Sequence, residues 1–110
     1  MLRQGDILIQ SIEAVPDGAQ KLETEGSRFV LFEGEATGHA HTLHMEESDM
    51  LDPTPSVYQL ANREGELIFE ITSVASLQHE EHGSLMLEPG VYCARRQREF
   101  SWGGFPYVED

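Results

Sequence analysis

The sequence predicts an all-β domain, a small antiparallel barrel or sandwich, and three observations predict it. Apolar and polar residues alternate over short runs. Turn residues interrupt the chain roughly every ten to fifteen positions, and no window sustains an apolar period of about 3.6 residues for three turns. Strands without amphipathic helices between them must bury one face against another sheet or against themselves, which gives a sandwich or a barrel. A chain of 110 residues supports one modest core, so residues 1–110 are expected to form one domain, with 101–110 as a terminal extension.

Taken in order, "GDILIQSI" is the first β-rich run. "SRFVLFEGEA" is the second, with Phe29, Leu31 and Glu33 alternating against Val30 and Phe32. "MEESDMLDPTP", acidic and proline-bearing, reads as a long surface loop. "GELIFEITSVASL" puts Leu67, Phe69 and Ile71 on one face and Ile68 and Glu70 on the other. "SLMLEPGVYCARRQREF" reads as a hairpin turning at Pro89 and Gly90. Trp102, Phe105 and Tyr107 in the tail are expected to cap the core or an oligomer contact, and a homo-oligomer fits that reading.

Seven basic residues against twenty acidic ones leave a formal charge of −13. Nonspecific binding to DNA, RNA or anionic lipid rests on basic side chains that neutralise phosphate, so nucleic-acid and membrane partners are not expected. Cys93 is the only cysteine, which rules out an internal disulfide and fits a reducing cytoplasm; mid-strand, it reads as a small buried apolar residue. No apolar run approaches the ~20 residues of a membrane span, and "MLRQGDILIQ" lacks the apolar run of a signal peptide. No Gly-x-Ser-x-Gly elbow and no phosphate-cradling glycine loop occurs.

All five histidines fall in two knots, "GEATGHAHTLHMEE" and "HEEH". On an extended strand His39 and His41 share a face, whereas His44 has the opposite parity and points away. His79 and His82, three apart, come together only on a helical turn or tight loop, so "HEEH" is expected to close a loop over the first knot. Neutral imidazoles with a neighbouring carboxylate make a normal first shell for a divalent transition metal, zinc first, with iron, nickel or manganese as alternatives. His39, His41, His79 and His82 are the ligand pool. Glu46, Glu80 and Glu81 supply carboxylates to bind, orient a ligand or move protons at a catalytic metal. Asp6, beside a glycine corner, serves either as partner of a histidine N–H or as a turn former. Arg96 and Arg98 share a strand face with Tyr92 and either grip an anionic small molecule beside the metal or neutralise nearby acids.

The first knot resembles the first metal motif of the cupins, in which a glycine precedes His-x-His and a glutamate follows. Gly34, His39, His41 and Glu46 fill those places. The resemblance implies a cupin-like β fold with those His and Glu residues as metal ligands and one more His from a second motif. The match departs from the cupin pattern in a shorter glycine-to-histidine gap, and Pro89 and Gly90 follow His82 instead of preceding it. Over the whole chain, "RQGDILI", "GEATGHAH", "HEEHGSLMLEPGVY" and "RQREF" resemble a family of small bacterial and phage proteins of uncharacterised function. Two functions follow as expectations: a metal-binding β protein, an enzyme if its metal keeps an open position, or an acidic interaction protein that binds a basic partner surface.

Overall fold

In the computed structural model the residues described are 1–33, 40–46, 54–61, 65–80 and 82–96, and no helix occurs among them. Ten strands follow one another: β1 Leu2–Gln4, β2 Ile7–Ile12, β3 Gln20–Lys21, β4 Arg28–Glu33, β5 Ala40–Met45, β6 Ser56–Gln59, β7 Glu66–Ile71, β8 Ala75–His79, β9 Gly83–Leu87 and β10 Gly90–Arg96. They form two antiparallel sheets, ordered β1-β2-β10-β7-β6-β3 and β4-β5-β8-β9. The expected architecture is therefore met by two sheets facing one another, with no closed barrel among the described residues.

Period-two alternation builds the core. Ile7 and Ile9 of β2, Ala94 of β10, Leu67, Phe69 and Ile71 of β7 and Val57 of β6 face Leu31, Leu43, Met45, Ala75, Leu77 and Leu87 of the second sheet, all buried. These side chains supply the main driving force, since each fully buried aliphatic or aromatic group contributes about 1.5–3 kcal/mol. On β4 simple alternation fails. The register with β5 shifts between Val30 and Phe32, so Phe29, Leu31 and Phe32 all pack on the core while Val30 is exposed. A bulge inserts one residue and changes the parity beyond it.

The segment read as a hairpin at Pro89 and Gly90 is instead a crossover. β9 is the edge of the second sheet and β10 lies between β2 and β7 in the first. The turn chemistry is real, but it carries the chain from one layer to the other. The true hairpin is β8–β9, reversing between His79 and Gly83, where Gly83 takes φ 73°. Gly5, at φ 58°, makes the two-residue turn between the paired Gln4 and Ile7. Both positions need the left-handed backbone that glycine reaches without strain.

Candidate functional site

The apolar interior stops at one end of the sandwich. There the inward positions are Gln4 on β1, Asp6 in the β1–β2 turn, His41 on β5, His79 on β8 and Arg96 on β10. Gln4, Asp6, His41 and His79 are 2%, 3%, 0% and 5% exposed. Burying so many polar groups costs stability unless each is bonded, and such clusters concentrate at functional sites.

Gln4 fixes His41. Its Nε2 donates to the Leu77 and Gly83 carbonyls at 2.8 and 2.7 Å, so the amide orientation is determined and Oε1 is left as acceptor. That oxygen lies 2.9 Å from His41 Nδ1, which must therefore carry a proton. The opposite ring nitrogen, Nε2, faces Asp6 Oδ1 at 3.3 Å. Asp6 Oδ2 lies 3.6 Å from Arg96 Nε, which favours the ionised carboxylate. Arg96 in turn donates from Nη2 to the Glu33 carbonyl at 2.7 Å and lies over the Phe32 ring, 5.5 Å from its centre. Arg96 thus reaches from the first sheet to β4 of the second, and Gln4 reaches from the first sheet to β8 and β9.

His41 Nε2 and a carboxylate oxygen of Asp6 thus face each other, and where Nε2 presents its lone pair a cation is needed to bridge them favourably. A proton there makes an imidazolium–carboxylate pair; a metal ion there makes two adjacent ligands. The His79 ring lies beside His41, centres 4.4 Å apart, and the His82 ring lies 4.6 Å beyond it. His79 Nδ1 accepts the His82 backbone N–H at 3.3 Å, which is how the tight turn seats the two rings together. Among the described residues no group of three or more His, Cys, Asp or Glu side chains is arranged to hold a metal ion.

The site thus unites His41, His79 and His82, as the two knots predict, and adds Asp6 in the role of histidine partner. It also joins Arg96, which pairs with an acid and so follows the neutralising reading. Glu80 lies at the same end, with Oε2 accepting the Ala40 N–H at 2.9 Å. Glu46 does not join. It is exposed just beyond the far end of β5 from His41, and at a rise of about 3.4 Å per residue the five steps between them span roughly 17 Å. The cupin-type glutamate position is corrected on that ground. His44 points to the outer face, as its parity predicts, and burial first, then the Arg28 charge, holds it below the usual imidazole range. Cys93 is half-buried on the outer face of the first sheet, its Sγ 3.2 Å from Glu66 Oε1, so it is not the apolar core residue expected. His39, Glu81, Arg98, most of the 45–55 loop and the 101–110 tail lie outside the described residues.

Gln4 is the site residue that sequence reasoning missed. Its signal is faint: it lies two positions before Asp6, across the glycine of the corner.

No helix of the described residues is long and apolar enough to cross a membrane. The family described as a domain of unknown function, DUF8820, matches residues 3–97, and the chain belongs to it. No curated protein and no solved structure matches the chain.

Proposed function

We propose that this family member is a metal-binding β-sandwich protein whose ion is held at the polar end, with His41 Nε2 and Asp6 Oδ1 as two adjacent ligands. The observation that carries this is their 3.3 Å separation. A charge-assisted N–H···O bond closes to about 2.7–2.9 Å. Two ligands each about 2.0–2.1 Å from a tetrahedral ion stand roughly 3.3 Å apart.

The surroundings support the reading. A metal-bound histidine normally donates its other N–H to a fixed acceptor, and Gln4 is that acceptor. Arg96 holds the second oxygen of Asp6 in the same way. The likeness to the cupin motif supports His41 as a ligand. His79 and His82 stay in the ligand pool because the 3.3 Å amide contact on His79 is long and easily given up; His39 stays in it on sequence grounds alone. The nitrogen and oxygen donors favour zinc, then iron, nickel or manganese. A bound ion with one open position would activate water or polarise a carbonyl.

The test is metal content. Untagged protein, dialysed against a trace equimolar mixture of these ions, is expected to hold close to one equivalent, and Asp6→Asn less than ~10% of it, since a lost ligand costs orders of magnitude in affinity. If the unsubstituted protein stays empty, the bridging cation is a proton, and the imidazolium reading replaces the metal one.

A further inference from the structure

On the outer side of the second sheet lies a pocket of about 360 Å³, lined by Arg28, Thr42, His44, Gln78 and Ser84, with Ala40, His79 and Glu80 also on its lining. The strand register builds it. Arg28 on β4 stands opposite His44 on β5, Thr42 stands opposite Gln78 on β8, and Gln78 stands opposite Ser84 on β9. Outward side chains of three adjacent strands therefore form a lane of hydroxyl, amide and hydroxyl, with a guanidinium and an imidazole to one side.

Two features set this lane apart from an ordinary solvated sheet face. Thr42 points outward yet is only 5% exposed, so it sits at depth. Among the described residues no carboxylate lies within ion-pair distance of the Arg28 guanidinium, in a chain with twenty acids and seven bases. Glu80, the acid on the pocket wall, has one oxygen committed to the Ala40 N–H. Burial first, then the Arg28 charge, lower the His44 pKa, which disfavours the imidazolium and favours the ring as a hydrogen-bonding group. A guanidinium with no ion-pair partner among the described residues, flanked by hydroxyl and amide groups, is an arrangement that recognises an oxyanion.

We propose that this pocket binds a small oxyanion-bearing molecule, its carboxylate or phosphate gripped by Arg28 and its hydroxyl or carbonyl groups bonded by Thr42, Gln78 and Ser84. The head group alone suffices to test it. Acetate and inorganic phosphate are titrated separately into isotope-labelled protein at constant ionic strength, with amide and side-chain resonances followed by NMR. At least one of the two is expected to give saturable shifts confined to Thr42, His44, Gln78 and Ser84, and the ion that binds tells a carboxylate site from a phosphate site. Arg28→Gln is expected to weaken binding at least ~10-fold. Arg95→Gln, removing an exposed arginine on the other sheet, is expected to leave binding unchanged. Arg28 is itself exposed, so its variant keeps the fold, and the dispersed spectrum verifies that. Absence of saturable, localised shifts with either ion up to ~50 mM overturns the proposal. Equal weakening by the two arginine variants overturns it as well, because the effect would then be general charge. Metal content does not enter these readouts, so the outcome is read independently of the metal proposal even though His79 borders both sites.

Discussion

The inward faces of β5 and β8 hold two chemically opposite regions at nearly the same burial. β5 reads His41, Leu43, Met45 inward and β8 reads Ala75, Leu77, His79. Their antiparallel register, Leu43 opposite Leu77 and Met45 opposite Ala75, gathers the apolar residues at one end. Continued one inward step the other way, it sets the two imidazoles side by side. The apolar region is stabilised by leaving water and tolerates many side chains of the right volume. The polar region is stabilised only if each donor finds its acceptor, so its residues are specific and interdependent. Equal burial thus hides unequal tolerance.

Substitutions in each region sharpen the contrast. Phe69→Ala, at the centre of the apolar region, is expected to produce the largest loss, about 3–5 kcal/mol in urea unfolding, because a fully buried aromatic leaves a cavity. If the loss is under ~1 kcal/mol, the core is not the main support of the fold. Gln4→Leu extends the apolar region into the polar end. It removes the acceptor from His41 and the donor from two carbonyls. It is expected to cost about 1–3 kcal/mol despite similar volume and added hydrophobicity. Affinity for the ion proposed at this end should fall about 10–100-fold, as it does when an orienting partner of a ligand is lost. A neutral or stabilising outcome would show that the polar end needs no satisfied network.

The smallest effect belongs to the outer face. The folded protein lowers the His44 pKa, so protonating His44 is harder folded than unfolded. Stability contributed in this way is intact above the unfolded histidine value near ~6.5 and is lost as pH falls through that value toward the folded one. His44→Gln is therefore expected to narrow the drop in Tm between pH 7.5 and 5.5, slightly, because the group is only partly buried. An unchanged drop would show that His44 does not carry the acid sensitivity.

Alternation along single strands was legible in the sequence. It placed Leu67, Phe69 and Ile71 inward together, turned His44 outward and put Arg96 on the face of Tyr92. The tight-loop requirement for His79 and His82 was legible too. What failed was long-range. The bulge between Val30 and Phe32 has no local signature, and Pro89-Gly90 marks a turn without saying whether the next strand pairs with the last. Glu46 follows the cupin spacing, but it lies just past the far end of β5 and so stays away from His41. Gln4 reaches His41 across the two sheets, and Arg96 reaches Asp6 from the strand paired with β2; those adjacencies belong to the whole fold and not to any one strand.

The pairing of β2 with β10, which sets Ile7 opposite Arg96, has a kinetic meaning. β4, β5, β8 and β9 can associate over modest separations, but Asp6 and Arg96 meet only after the whole intervening chain has been gathered in, and closing so long a loop is entropically slow. The polar end is therefore assembled late. During refolding the apolar residues should collapse first, and the environment of His41 should reach its native state in the slowest phase. Arg96, which holds the second oxygen of Asp6, joins only at that stage, so the proposed ion would find its ligands fully supported only in a sandwich that is already closed.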